Sequence, residues 1–162
     1  MTAGTSSRTA VVTLPTDTQI LITREFDVPR RLVYRAWTTP ELIKRWWGAE
    51  RGEVTSVELD LRVGGRWRYV SRTHDGSEFG FSGEYREIVE NERLVATEVF
   101  EPVPDHEALN TLTLTERDGR TTLTVLVEHD SKESRDAHLN SGMEPGMQDA
   151  LRLLEQVAVS LR

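Results

Sequence analysis

Three side chains in this 162-residue chain have the type and setting to move a proton. Glu98 in "RLVATEVFE" and Glu128 in "TTLTVLVEH" stand in otherwise apolar runs, and His129 follows Glu128 directly. A carboxyl held in a dry site is pushed up by desolvation and becomes a proton-transfer candidate. Whether either one faces inward depends on strand register, since a slip of one residue moves every side chain to the opposite face. His129, beside Asp130, is the best single acid–base candidate; a hydrogen-bonded or exposed histidine is the plainer alternative. The other histidines are His74, His106 and His138, and no two have the i, i+4 spacing of a metal-binding helix. The chain has no cysteine, which excludes disulfides, thiolate metal sites and a cysteine nucleophile. Ser82 in "GFSGE" lies mid-strand rather than at a strand-to-helix elbow, so a serine nucleophile is not supported. Val63–Trp67, "VGGRW", fits neither the P-loop nor the dinucleotide fingerprint and reads as a tight turn into a strand. No catalytic set, metal or cofactor is expected.

The aromatic residues are more informative. "WTTPELIKRWWG", 37–48, holds three of the four tryptophans: Trp37, Trp46 and Trp47. Large aromatics crowd together in cores and in ligand pockets. Adjacent helix residues lie about 100° apart, so Trp46 and Trp47 cannot touch the same point. One plugging the core while the other packs at the sheet rim competes with one lining a pocket mouth. In "GGRWRYV", Trp67 and Tyr69 share one strand face, while Arg66 and Arg68 share the other. In "EFGFSGEYRE", Phe79, Phe81, Gly83 and Tyr85 alternate with Gly80, Ser82, Glu84 and Arg86. Aromatic walls beside a glycine could leave room for a ligand; ordinary packing under a helix has an equal claim. Met143 and Met147, four apart, suit a pocket of variable shape and fill core gaps equally well.

The elements that must position these residues follow from periodicity. "TDTQILITREFDV", 16–28, reads as a first strand. Two short helices follow, the first with Pro29 in its first turn and Val33, Ala36 and Trp37 on one face. The second has Thr39 at its N-cap, Pro40 at its first position and Gly48 just past its end. Six strand-length runs from Glu53 to Asp130 are separated by "VGG", "HDGS", "VENE" and "RDGR", which predicts an antiparallel meander. In the last segment Met147, Leu151, Leu154, Ala158 and Leu161 form one helical face, with a short helix before it and Pro145 in its first turn. The sum is α+β: a curved seven-stranded antiparallel sheet around a long C-terminal helix, with two short helices after the first strand. One face of such a sheet must be covered, and a mouth or interior left open there suits a small molecule. Residues 1–15 read as a loose tail and 16–162 as one domain.

Composition limits the partners. Net charge is −7, against the basic stripe that nucleic acid requires. No apolar run is long enough to span a membrane, and the start lacks a signal-peptide core. A cytoplasmic location is expected. The sequence is compatible with a homodimer and does not specify one.

"FDVPRRLVYRAWTTPELIKRWWG", "VELDLRVGGRWRYV", "DGSEFGFSGEYREIVENERLV" and "SGMEPGMQDALRLLEQVAVSL" together resemble a known family. It is that of the bacterial homologues of the heat-shock protein 90 ATPase activator's C-terminal domain, within the START-like, polyketide-cyclase-like superfamily. The resemblance runs from about Gln19 to Leu161. It implies the helix-grip fold with a mostly apolar internal cavity, and binding of a hydrophobic or amphipathic small molecule more firmly than any reaction. A carrier, sensor or stress-related binding protein is therefore the leading expectation, and the enzyme reading leans to no. The cavity candidates are Trp37, Trp46, Trp47, Trp67, Tyr69, Phe79, Phe81, Tyr85, Met143, Met147 and Leu151, with Glu98, Glu128 and His129 as polar groups. The alternatives are a cavity enzyme of the cyclase or hydrolase type and a protein-interaction module related to chaperone regulation. Activation of the chaperone by the eukaryotic protein depends chiefly on an N-terminal domain that this chain lacks, so a chaperone partner is not expected.

Overall fold

The structure is a computed structural model that describes residues 9–48 and 52–162. Its elements run β1 (Val11–Thr13), β2 (Gln19–Phe26), α1 (Arg30–Thr38), α2 (Pro40–Trp46), β3 (Gly52–Leu59) and β4 (Arg66–Thr73). They continue β5 (Glu78–Val89), β6 (Arg93–Phe100), β7 (Glu107–Arg117), β8 (Arg120–Glu128), α3 (Lys132–Leu139) and α4 (Met143–Ser160). The strands form one sheet in the order β1-β2-β8-β7-β6-β5-β4-β3, antiparallel throughout. The meander is as expected. "RDGR" makes a two-residue hairpin in which Asp118 and Gly119 both have positive φ, the geometry that follows the strand twist. Register shifts between Val54 and Ser56 and between Tyr85 and Glu87 mark bulges, which bend the sheet around the helices.

The sheet has eight strands, not seven. Val11–Thr13 pairs with β2 through Val11↔Thr23 and Thr13↔Leu21, inside the stretch read as a loose tail. Without it β2 would be an edge strand with unpaired backbone groups. The segment is held further at Ala10, whose N–H and C=O both bond the Gln148 side-chain amide on α4 at 2.9 Å. Three residues are too few to show alternation, so the strand leaves little trace in the pattern. Residues 1–8 of the expected tail lie outside the described residues.

Helix boundaries fall close to expectation, with two differences of detail. Pro29 is the N-cap of α1 rather than a residue of its first turn. Thr39 is the N-cap of α2, but its hydroxyl donates to the Arg35 carbonyl (2.7 Å) and caps nothing. Pro40 opens α2, and Gly48 follows it at φ +64, where a side chain would be strained.

One face of the sheet meets the helices. Ile20, Ile22, Phe26, Leu112, Leu114 and Leu123 lie on this inner face and are buried with Leu151, Leu154, Val157 and Ala158 of α4. Met147 and Leu161, read onto the same helical stripe, are half-buried at its edges. Within this apolar layer Arg24 of β2 meets Glu155 of α4 at 3.0 Å, both nearly inaccessible to water. The other Glu155 oxygen accepts the Asp27 N–H at 3.1 Å, and the guanidinium lies 4.7 Å from the centre of the Phe26 ring. A buried charge needs a partner of this kind, because desolvation otherwise costs several kcal/mol. Removing one partner should therefore cost more than removing both. Glu155→Leu is expected to lower unfolding stability by about 3–5 kcal/mol, and the double variant Arg24→Met/Glu155→Leu by much less. Urea denaturation of the single and double variants measures the difference.

Candidate functional site

The two adjacent tryptophans part company at the end of α2. Trp46 is still helical and turns inward; it is buried, its indole N–H donates to the Ala36 carbonyl (3.0 Å), and its ring lies 4.8 Å from that of Trp37. Trp47 is the C-cap, with extended backbone at φ −81 and ψ 118, so its side chain leaves the helix stripe. It packs edge-on against Tyr69 of β4 (5.1 Å between centroids) and Phe81 of β5 (5.4 Å). The core plug and the sheet-packing residue are thus both present.

The strand register explains how the other rings reach Trp47. Trp67 opposes Gly83 and Tyr69 opposes Phe81, so all four positions share the inner face. A Cβ at Gly83 would sit 1.8 Å from the Thr97 carbonyl oxygen and 2.7 Å from the Trp67 indole nitrogen. Only glycine lets the Trp67 ring lie across β5 and donate to the Thr97 carbonyl on β6 at 3.1 Å. Phe100 opposes Phe81 from β6, with centroids 5.0 Å apart, and Phe79 touches both. A continuous series of rings results: Trp67, Tyr69, Trp47, Phe81, Phe79 and Phe100. Trp47, Tyr69, Phe79 and Phe81 are only half-buried, unlike the rings of the main core.

Register also separates the two carboxylates. On β6, Glu98 shares a face with Ala96 and Phe100, which oppose Tyr85 and Phe81 of the inner face. Glu98 therefore points inward. Its partner is Asn110 of β7, whose Nδ2 donates to Glu98 Oε1. Burial pushes the Glu98 carboxyl up, an effect the Asn110 bond only partly offsets. Asn110 Oδ1 is buried and has no partner among the described residues. Burial likewise pushes up the hydroxyls of Tyr69, Tyr85 and Tyr34, so the phenols in this region stay neutral. Glu128 opposes Gln19 and Leu109 on the outer face and accepts from the Gln19 amide at 3.1 Å. It is not a cavity group. His129 is lowered chiefly by burial, and its Nε2 lies 3.0 Å from Nδ1 of His138 on α3. The structure gives it a structural partner there rather than a place among the rings.

Of the remaining candidates, Met143 and Leu151 are buried in the main core and Tyr85 is buried on the inner face. Met147 and Trp37 are half-buried against that core. Phe100 and Asn110 join the site without having been anticipated. A polar Asn in the alternation Ala108, Asn110, Leu112, Leu114 was the available signal for the second. On the outer face a groove of about 420 Å³ runs between Glu58, Arg66, Arg68, Ser82 and Glu101, reaching Trp67. Arg66 and Arg68 point outward as expected, and Arg68 is held by two bonds to Glu101 at 2.8 and 2.9 Å. Among the described residues no three His, Asp or Glu are placed to hold a metal ion, and no helix is long and apolar enough to cross a membrane.

Comparison with known proteins supports this fold. A family profile described as "Activator of Hsp90 ATPase homolog 1-like protein" matches residues 27–158. No curated protein shows significant similarity. Among solved structures, a protein from Rhodobacter sphaeroides is 26% identical with a TM-score of 0.87, over 93% of this chain and 99% of its own. A protein from Mycobacterium smegmatis is 25% identical with a TM-score of 0.81, over 95% and 99%. A third, from Nitrosomonas europaea, is 26% identical with a TM-score of 0.78, over 91% and 98%.

The inward carboxyl has a consequence for stability. A carboxyl pushed up by folding carries no penalty below its ordinary value of 4.5, where folded and unfolded chains are both protonated. As pH rises past that value the unfolded chain ionises first, and stability falls until the folded carboxyl ionises too. Tyr69 and Tyr85, the ionisable groups nearby, stay neutral throughout. Glu98→Gln should therefore gain stability over the natural chain at neutral pH and lose that advantage below pH 4.5. Denaturant titrations of both proteins across this range test the sign.

Proposed function

Because the chain belongs to the family described as Activator of Hsp90 ATPase homolog 1-like protein, we propose that it binds a hydrophobic or amphipathic small molecule against the inner face of its sheet. One observation supports the reading: a series of rings, buried at Trp67, half-buried at Tyr69, Trp47, Phe81 and Phe79 and exposed at Phe100, shares the inner face with an inward polar pair, Glu98 and Asn110. Apolar walls with a few polar groups are what small-molecule sites are made of. Apolar burial supplies affinity at about 25 cal/mol per Å² before the costs of association. The polar pair supplies orientation. A cytoplasmic carrier or sensor is the role that fits. Turnover has weaker support, because only one of the three acid–base candidates faces inward.

The two tryptophans separate binding from folding. Trp47→Ala should weaken binding of a hydrophobic fluorescent probe by about tenfold or more, while the protein stays folded. Trp46→Ala should instead lose about 3–5 kcal/mol of stability, since it empties a core site. Probe titrations and denaturation curves on both variants decide the matter. Native mass spectrometry of protein freshly purified from its own host should show a retained small molecule. A protein that carries none and binds no member of a hydrophobic probe panel is not a binding protein of this kind.

A further inference from the structure

We propose that α3 is a pH-dependent hinge: acidification releases its C-terminal turn and the connection into α4, while its N-terminal turn stays fastened. The hinge is independent of the binding site proposed above. Of the eight residues of α3 only Arg135 is buried, and Leu139, its one contact with the apolar core, is half-buried. Little apolar area therefore holds the helix, and elements of this kind open at low cost. Polar bonds hold it at three points. At the start, His106 Nδ1 of the β6–β7 turn meets Asp130 Oδ2 at 2.8 Å and the Ser134 hydroxyl at 3.3 Å. In the middle, the Arg135 guanidinium donates to the Thr16 carbonyl at 2.8 Å. At the end, His129 Nε2 lies 3.0 Å from His138 Nδ1.

The two histidine bonds respond to protons in opposite senses. A bond between two imidazole nitrogens needs one donor and one acceptor. It survives the first proton, which leaves an imidazolium facing an imidazole. The second proton removes the acceptor and sets two cations against each other. Such coupled groups take their protons in separate steps. Burial lowers His129 from its ordinary 6.5, Asp130 acts against this, and Arg135 adds to it. Its contribution to stability is therefore lost as pH falls from that value. His106 is the reverse. The Asp130 bond raises it, with Asp105 adding, and the same contact lowers Asp130. That bond strengthens as pH falls towards 6.5 and holds below it until Asp130 itself takes a proton. The other charges around α3 do not reverse this order. Arg135 keeps its charge throughout. Lys132 and Arg135 each meet Asp136 at 3.0 Å, which lowers Asp136 and keeps it ionised. Glu133 is exposed on the first turn, Glu128 is bonded to Gln19 on the outer face, and Asp17 stands in the β1–β2 turn.

Amide hydrogen exchange of the full chain at about pH 8 and about pH 5, corrected for the intrinsic rate at each pH, tests the hinge. The N–H groups of Asn140 and Ser141 bond the Asp136 and His138 carbonyls at 2.9 and 3.2 Å. They should lose about tenfold or more of their protection at the lower pH. Arg135, whose N–H bonds the Ser131 carbonyl at 3.1 Å, should keep its protection. His138→Gln gives His129 an uncharged partner that can accept from the imidazolium, so the last turn should stay protected at both pH values. His106→Gln should leave the release of Asn140 and Ser141 as it is in the natural chain. Equal protection of Asn140 and Ser141 at the two pH values overturns the proposal. So does an equal loss at Arg135, or a loss in His138→Gln as large as that of the natural chain. The contrast between Arg135 and Asn140 is read within the natural chain, so the result stands even where a variant does not fold.

Discussion

An eight-stranded antiparallel sheet with one face turned to its helices sets a problem of area. Seven strand spacings of about 4.8 Å make a face roughly 34 Å across. The 18-residue α4 is about 27 Å long but only about 10 Å wide with its side chains, enough to cover two or three strands. The rest of the inner face must be covered by something else. The structure divides the task. Buried aliphatic residues of β2, β7 and β8 pack with α4, while Tyr69 of β4 and Phe81 of β5 meet Trp47, and Phe100 of β6 joins them through Phe81. The proposed binding site lies on the second half, where Trp47 at the end of α2 meets the rings.

The Arg24–Glu155 pair fixes which half α4 takes. A buried ion pair contributes less to stability than its short distance suggests, because both charges lose their water. It does penalise other placements, since sliding the helix would strand two charges in an apolar layer. Its neighbours act in the same direction. Gln148 ties α4 to Ala10 beside β1, and Glu155 also accepts the N–H of Asp27 at the end of β2. Three polar contacts thus hold α4 against the β1–β2 side of the sheet.

On the aromatic half, the decisive residue is the smallest. Gly83 allows the Trp67 indole to cross β5 and bond the backbone of β6, which pins the rings at their base. Their outer members remain half-buried. The series is buried at Trp67 and half-buried at Trp47, a gradient in keeping with the proposed site.

The local elements were legible in the sequence because their signals are local. β5 spans the residues expected of it, the "RDGR" hairpin follows from its Asp and Gly, and Pro40 and Gly48 bound α2. The inward side of Trp67 and Tyr69 followed from their alternation with two arginines. The three-residue β1 was not legible, since so short a strand exists through pairing with β2 and not through its own pattern. Nor were the opposite orientations of Glu98 and Glu128, the Asn110 bond, or the divergence of Trp46 from Trp47. Each depends on a register or a backbone exit angle, and one residue of slip or one extended ψ reverses the result. The residue types available to a site were written in the chain. Which of them face one another was decided by cross-strand pairing, because side-chain facing is a property of two strands together.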